Sequence, residues 1–211
     1  LMALLDALNL ERPIIAGHSM GADTCLHFAA DHPELVNGVI LEDPPIVMPG
    51  EKFREGFQKI NVEKAGIAIS KGLRTMKKMP GFLAFLIASV YSPRVAHEDF
   101  IPWVEAKKLV SDDFINAIAT LPYDLNDPFE SVVKITVPIL MFTGDREKMA
   151  IVSKQTAEEL VSLNKKLKVV HLNGARHDIR RSQFESFFEA LENFLVEIGA
   201  MASVPVRGTG D

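Results

Sequence analysis

The sequence has a single cysteine, Cys25, and lacks the long apolar and basic runs of membrane and nucleic-acid-binding proteins. One thiol excludes an internal disulfide and a cysteine-based metal cluster, and its place in a helical pattern predicts a buried, space-filling side chain. The longest apolar stretch, Phe82 to Val90, is far shorter than the roughly 20 residues of a membrane-spanning helix. No run of Lys or Arg is dense enough to follow a phosphate backbone, and the net charge is −5. We therefore expect a soluble, cytoplasmic chain that binds neither nucleic acid nor membrane.

Motifs for common cofactors are also missing. No G-x-G-x-x-G fingerprint is present, no Walker-type lysine follows a glycine-rich loop, and no His/Cys group has the spacing of metal ligands. The expected chemistry therefore needs only side chains and water, with no cofactor and no metal.

Short apolar runs of strand type alternate with helical patterns at both ends of the chain. The predicted strands occupy 13–17, 36–41, 137–143 and 167–172, and the helices around them occupy 1–8, 20–30, 153–163 and 183–198. Strand, helix and strand in succession require parallel pairing. Helical patterns without a convincing strand fill the middle of the chain, at 53–60, 65–79, 81–91 and 103–109. We predict an α/β fold with a mostly parallel sheet: core segments 1–46 and 136–200, an inserted helical cap 47–135, and a tail 201–211 that ends in disorder.

A strand-to-helix turn carries Gly17–His18–Ser19–Met20–Gly21, which fits the G-x-S-x-G nucleophile elbow. In this motif the serine sits in a strained turn that exposes its hydroxyl, and small residues at both glycine positions let neighbouring backbone approach. The side chain of His18 is expected to leave the elbow in another direction and to shape the substrate pocket. A serine hydroxyl is a weak nucleophile near neutral pH, so Ser19 needs a base and an acid downstream.

The expected base is His177, in the loop between the last predicted strand and the last helix. This loop follows the carboxyl end of a strand, which is where the binding sites of open α/β sheets lie. The histidines outside the elbow and this loop fit structural or solvated positions: His27, His32, His97 and His171.

The acid is left open between two loops. The loop after the third predicted strand offers Asp145 and Glu147, and the pair Glu42–Asp43 ends the second strand. A carboxylate in either place would reach a histidine at the same edge of the sheet. With an acid in the later loop the chain order is serine, acid, histidine, as expected for this elbow. We prefer Asp145, then Glu147, then Glu42.

Together these segments resemble the α/β-hydrolase superfamily, in particular its capped members related to esterases and carbon–carbon bond hydrolases. The resemblance covers nearly the whole chain and depends on these stretches: Ala16–Ala22, Gly38–Pro45, Pro138–Asp145, Gly174–Ile179, and Phe184 with Phe194–Leu195. It implies that Ser19 is the nucleophile, His177 the base and the backbone N–H of Met20 an oxyanion donor. Epoxide hydrolases and haloalkane dehalogenases of this superfamily carry aspartate at the elbow position, so Ser19 favours acyl or related carbonyl chemistry.

The resemblance also implies that part of the fold is missing. Complete members have several strands before the elbow, including a His-Gly loop that supplies the second oxyanion donor, whereas this chain starts at the helix before the elbow. Loss of one oxyanion donor typically costs about 10²–10³ in turnover. We therefore expect a fragment of a larger open reading frame, which could be inactive or unstable by itself.

Apolar residues of the predicted cap, Trp103 among them, are expected to line or support a pocket above Ser19. The predicted function is a serine hydrolase that cleaves a small, apolar, ester-like substrate through an acyl-enzyme. Two alternatives stay open: a ligand-binding or receptor protein that keeps the fold without turnover, and an inactive fragment. Tight ligand retention without product release would favour the receptor, and the absence of a cooperative unfolding transition would favour the inactive fragment.

Overall fold

The structure, a computed structural model, describes residues 1–51, 62–91, 97–120 and 127–202. The chain divides into two compact units. Leu1–Pro49 and Asn126–Asp211 form the first, here called the sheet unit, and Gly50–Leu125 form the second, here called the helical unit. The helix expected over 53–60 and the tail from 203 onwards lie outside the described residues.

The sheet unit is built on four parallel strands, whose order across the sheet is their order along the chain. They are β1 Ile14–His18, β2 Gly38–Glu42, β3 Ile139–Thr143 and β4 Leu167–His171. Each coincides with one of the apolar runs in the sequence, and the α/β class with parallel pairing is confirmed. Every residue of β2 and β3 is buried, as is typical of parallel strands covered on both faces.

Helices connect and cover these strands. In chain order they are α1 Met2–Ala7, α2 Met20–Asp31, α3 Val62–Lys78, α4 Gly81–Tyr91, α5 His97–Leu109, α6 Asp112–Thr120, α7 Pro128–Lys134, α8 Lys154–Leu163, α9 Ile179–Ser182 and α10 Phe184–Glu197. Helices α3 to α6 belong to the helical unit, and the others belong to the sheet unit.

Alternate residues of each strand face opposite sides of the sheet, and each side has its own buried cluster. Val39 and Leu41 of β2 belong to a cluster with side chains of α2, α7 and α8. Ile40, between them, belongs with Leu140 and Phe194 to a second cluster that includes α10. Burying a side chain of this size contributes about 1.5–3 kcal/mol. The sheet is therefore held between two apolar layers, one on each face.

Cys25 lies in the first of these clusters and is a buried free thiol, as predicted. Helix α7 packs there too, through Val132. This helix begins at Pro128, and the carboxylate of Asp127 accepts the Phe129 N–H at 2.9 Å as its N-cap. Helix α7 therefore lies in the sheet unit, although the sequence boundary at 135 would group it with the cap.

The strand register brings the carboxyl ends of the strands to one edge. His18 pairs with Glu42, Glu42 pairs with Phe142, and Thr143 pairs with His171. The loops after all four strands therefore begin side by side, and this edge of the sheet carries the candidate site.

The helical unit has a small core of its own. Ala84 of α4 and Val104 of α5 are buried against each other, and Met76, Met79 and Trp103 pack on them. Throughout the described ranges of the chain, every helix is too short or too polar to cross a membrane.

Candidate active site

Ser19 occupies a strained turn between β1 and α2. Its backbone has φ 53° and ψ −120°, a region that non-glycine residues rarely adopt. Gly17 makes this turn possible, because a Cβ atom there would lie 2.1 Å from the carbonyl oxygen of Gly21. A Cβ atom at Gly21 would meet nothing within 4 Å. The expectation that both glycines serve close backbone approach therefore applies to Gly17 alone.

Asp43 holds the same position after β2 that Ser19 holds after β1. The Ser19 N–H donates to the carbonyl of Glu42 at 2.9 Å, and the Asp43 N–H donates to the carbonyl of Phe142 at 3.0 Å. Asp43 also has a positive φ, 43°. Two consecutive parallel strands therefore end in strained polar residues that leave the sheet side by side.

The imidazole of His177 is hydrogen-bonded to Asp43. Its Nδ1 lies 2.6 Å from Oδ2 of Asp43. Because a carboxylate accepts, Nδ1 carries the hydrogen in this arrangement, and Nε2 of the neutral ring keeps its lone pair. This is the tautomer that a general base requires, with its free nitrogen turned away from the acid.

Backbone donors make the buried carboxylate of Asp43 tolerable. Its side chain is fully buried, and an isolated charge in that position would be costly. The N–H of Ile151 donates to both carboxylate oxygens at 3.1 and 2.9 Å, and the N–H of Val152 donates to Oδ1 at 3.1 Å. The chain after β3 thus solvates an acid that comes from the end of β2.

His18 links the elbow to the loop of the base. Its Nε2–H donates to the carbonyl of His177 at 2.9 Å, and the two imidazole centroids lie 4.6 Å apart. Burial lowers the pKa of His18 below its ordinary value, while the charge of Glu42 acts in the opposite direction. Burial therefore favours the neutral form of His18, and the residue before Ser19 is tied to the loop of His177.

The preferred acid, Asp145, makes other contacts. Its Oδ2 accepts the Gly174 N–H at 2.8 Å, and its Oδ1 lies 3.3 Å from Nε2 of His171. The hydrogen bond from the Gly174 N–H lowers the pKa of Asp145 below its ordinary value, and the charge of Lys148 makes a smaller contribution in the same direction. Asp145 thus joins the loops after β3 and β4, and the carboxylate beside His177 is that of Asp43.

Neither of the other preferred acids orients the base. Glu147 is exposed on a short 3-10 turn over Arg146–Lys148. The buried carboxylate of Glu42 accepts the backbone N–H of Arg180 at 2.9 Å and also pairs with its guanidinium group. The sequence favours the loop after β3 because it offers two carboxylates and the chain order serine, acid, histidine, but the structure shows this stretch of chain donating the backbone N–H groups of Ile151 and Val152 to Asp43.

One signal in the sequence would have selected Asp43. Ser19 is the first residue after a short apolar strand that ends in His18, and Asp43 is the first residue after the next strand, which ends in Glu42. Parallel neighbours of equal length place these two positions together. The positive φ of Asp43 is a property of the backbone that the sequence does not reveal.

Met20 is the first residue of α2. The first backbone N–H groups of a helix have no partner within it and carry the positive end of the helix dipole. The side chain of Met20 is 53% exposed. Its N–H remains the predicted oxyanion donor.

Trp103 lies in the core of the helical unit, with the ammonium group of Lys107 at 5.0 Å from its ring centroid. The described part of that unit also contains an apolar cavity of about 700 Å³ between α4 and α5, lined by Phe82, Phe85 and Ile101 among others. The predicted role of Trp103 in substrate binding stays a prediction. The side chains of Tyr91 and His97 lie outside the described part of the structure.

No group of three or more His, Cys, Asp or Glu side chains with the geometry of a metal site occurs within the described ranges. The two carboxylates near His177 accept hydrogen bonds from the protein itself. Asp43 accepts from the backbone after β3, and Glu42 accepts from Arg180.

Comparison with known proteins identifies the fold. A family model described as alpha/beta hydrolase fold matches residues 1–66. Over 55 residues the chain is 36% identical to the lipase LipV of Mycobacterium tuberculosis, a stretch that covers 26% of this chain and 21% of the lipase. The aligned stretch is therefore only a small part of that relative.

Solved structures match nearly the whole chain. An E-2-(acetamidomethylene)succinate hydrolase superposes with a TM-score of 0.70 at 21% identity, over 92% of this chain and 70% of that one. An N-formylmaleamic acid deformylase from Pseudomonas putida superposes with a TM-score of 0.67 at 18% identity, over 90% of this chain and 69% of that one. The resemblance drawn from the motifs is thus confirmed at the level of the fold.

Proposed function

Because the chain has the α/β-hydrolase fold, we propose that it supplies the catalytic triad of a serine hydrolase. Ser19 is the nucleophile, His177 the general base and Asp43 the acid that orients the base. The single observation that carries this proposal is the 2.6 Å hydrogen bond from Nδ1 of His177 to Asp43, which follows the strand next to the one that ends before Ser19. A base with its outer nitrogen free is what a weak hydroxyl nucleophile needs.

The proposed reaction forms an acyl-enzyme in two proton transfers. Oγ of Ser19 attacks the carbonyl carbon of the substrate while its proton passes to Nε2 of His177. Asp43 holds Nδ1–H and stabilises the imidazolium that forms. The imidazolium then gives the proton to the departing alcohol or amine, and the acyl group stays on Ser19 as an ester.

Water completes the cycle through the same groups. Nε2 of His177 accepts a proton from water as the oxygen attacks the acyl ester of Ser19. The carboxylic acid leaves, and the proton returns from His177 to the serine oxygen. The N–H of Met20 at the start of α2 stabilises the negative oxygen in both steps, since it lies next to the nucleophile at a helix N-terminus.

We propose a small, fairly apolar ester or related acyl compound as the substrate. The names of the similar proteins support a hydrolytic reaction, because they describe a lipase, a deformylase and a hydrolase of an acetamido compound. The serine at position 19 supports acyl chemistry, since it offers a neutral hydroxyl that forms an ester which water can cleave.

A fluorophosphonate probe tests the nucleophile directly, because it phosphonylates an activated serine in a single turnover. Peptide mass spectrometry of the labelled chain should locate the adduct on Ser19, and both Ser19→Ala and His177→Ala should remove it. Ser162→Ala is the matched control, since that hydroxyl is exposed on α8 and donates to the carbonyl of Glu159. Labelling at another residue, or equal labelling of all three variants, would contradict the proposal.

Hydrolysis of a short-chain chromogenic ester provides the second readout. Turnover that disappears in Ser19→Ala supports catalysis by the triad. Stoichiometric retention of an ester without product release, in a chain whose Ser19 resists the probe, would instead indicate a ligand-binding protein.

A further inference from the structure

Glu42 contacts both halves of the candidate site. Its backbone carbonyl accepts the N–H of Ser19 at 2.9 Å. Its side chain, which is 5% exposed, accepts the backbone N–H of Arg180 at 2.9 Å and pairs with the Arg180 guanidinium. Arg180 follows His177 by three residues, at the start of α9. One residue therefore joins the backbone of the nucleophile to the loop of the base.

In addition to the contact between Gly174 and Asp145, three contacts hold the loop of His177 at and after the imidazole. The carbonyl of His177 accepts from Nε2–H of His18, its imidazole donates to Asp43, and the N–H of Arg180 donates to Glu42. The two carboxylates are consecutive in the sequence, and the positive φ of Asp43 lets both reach the same loop.

A buried carboxylate is costly unless it is paired and hydrogen-bonded. Arg180 satisfies that condition for Glu42, although the Arg180 side chain is 37% exposed and would be free to leave the pair for water. A surface ion pair elsewhere in the sheet unit, Lys168 with Glu197 at 2.5 Å, has both side chains about half exposed. The burial of Glu42 thus sets its pair apart from an ordinary surface contact.

Resting on the proposed function, we propose that Glu42 is a positioning residue for the triad, which acts through its interactions with both the backbone N–H and the guanidinium of Arg180 to hold His177 in place beside Asp43. Hydrogen bonding between Glu42 and the start of α9 fixes the height of His177 above the sheet. A displacement of about 1 Å in such a group costs as much as 10² in rate. Glu42 would therefore control the rate of chemistry on Ser19 without touching the substrate.

Three substitutions distinguish the hydrogen bond between Glu42 and the Arg180 backbone from the ion pair between their side chains. Glu42→Ala removes both interactions with Arg180, whereas Glu42→Gln keeps an oxygen that accepts the Arg180 N–H. Arg180→Ala removes the guanidinium and keeps the backbone N–H. The matched control is Glu197→Ala, which breaks the exposed pair with Lys168 in the same unit.

The rate of phosphonylation of Ser19 is the first measurement. Glu42→Ala should lower it by about tenfold to 10², Glu42→Gln by less, and Glu197→Ala should label at the rate of the unaltered chain. A residue that only stabilised the fold would change the denaturation midpoint and leave this rate unchanged at a temperature where the variant is folded.

The NMR signal of the His177 Nδ1 proton is the second measurement, and it does not depend on catalysis. This strongly deshielded proton should be visible in the unaltered chain, absent from His177→Gln, and broadened or shifted in Glu42→Ala. If Glu42→Ala does not fold, Arg180→Ala replaces it in both experiments, with the same expected direction.

These two readouts distinguish a failure of the inference from a failure of the proposed function. If Ser19 resists the probe in the unaltered chain, the triad proposal fails, and the Nδ1 proton alone tests whether Glu42 holds His177. If Ser19 is labelled and both signals are the same in a folded Glu42→Ala or Arg180→Ala variant, the positioning role is overturned.

Discussion

Nδ1 of His177 lies 2.6 Å from Oδ2 of Asp43, the residue that follows the second strand of the sheet. Asp43 and Ser19, the proposed acid and nucleophile, therefore follow neighbouring parallel strands, with His18 of one strand paired to Glu42 of the other. Since this pairing is rigid, the distance from Ser19 to the acid is set by the sheet itself. His177, in contrast, lies on a loop, and this loop makes hydrogen bonds to His18, Asp43 and Glu42.

Asp43→Asn should reduce the rate at which a fluorophosphonate labels Ser19 by about 10²–10⁴. An amide next to Nδ1 no longer requires the hydrogen to sit there, so the imidazole loses the tautomer that accepts a proton from Ser19. Asp145→Asn is the matched control and should label at the rate of the unaltered chain, because its carboxylate faces Gly174 and His171. The reverse pattern, with Asp145→Asn slow and Asp43→Asn unaffected, would return the acid to the loop after β3.

The two glycines of the elbow should respond differently to alanine. A Cβ atom at Gly17 would lie 2.1 Å from a backbone oxygen, so Gly17→Ala forces the elbow to open. We expect a loss of about 3 kcal/mol or more in the free energy of unfolding, or no folded protein. Gly21→Ala enters open space in the first turn of α2 and should change the free energy by less than about 1 kcal/mol. Urea unfolding followed by circular dichroism gives both values, and equal losses would contradict this reading of the turn.

Asp145 should make stability depend on pH in the acid range. The Gly174 N–H favours the ionised carboxylate, so the pKa of Asp145 is lower in the folded chain than in the unfolded one. The folded state then binds fewer protons below the ordinary pKa of about 3.8 for aspartate, and its free energy of unfolding falls as the pH drops through that range. Asp145→Asn cannot titrate and should show a shallower decrease.

Urea midpoints between about pH 5 and pH 2.5 measure this difference, in a range that includes the ordinary aspartate pKa. Lys148→Ala removes a weaker contributor to the same pKa and should reduce the slope by less than Asp145→Asn. Parallel curves for the unaltered chain and Asp145→Asn would show that the Gly174 contact has no effect on the carboxyl pKa.

The sequence was sufficient to place Ser19 and His177 in the fold, because each lies at a boundary between elements that local patterns predict. A glycine-flanked serine between a strand and a helix, and a histidine between the last strand and the last helix, need only the order of the elements. The four strands were equally accessible, since β2 and β3 are continuous apolar runs.

The acid was less accessible because it depends on three-dimensional details of two backbones. Asp43 has a positive φ, and its buried carboxylate accepts the N–H groups of Ile151 and Val152 as well as Nδ1–H of His177. These contacts join residues more than a hundred positions apart in the chain. Asp145, in contrast, lies in a loop where the sequence predicts a catalytic acid, but its carboxylate connects this loop to Gly174 and His171.

Cys25 should react slowly with alkylating reagents while the chain is folded. It lies in α2, faces the first buried cluster and is 6% exposed, and burial raises the pKa of its thiol from 9.0 to about 11. The thiolate is the reactive form, so its fraction at pH 8 should be about a hundredfold smaller than in the unfolded chain, before steric protection is counted. Iodoacetamide labelling with and without urea measures the ratio, and Cys25→Ser is the blank for reaction at other groups. Because α2 also carries Ser19 at its start, equal rates in the folded and unfolded chain would mean that this helix is not packed on the sheet, and the geometry of the elbow would be lost with it.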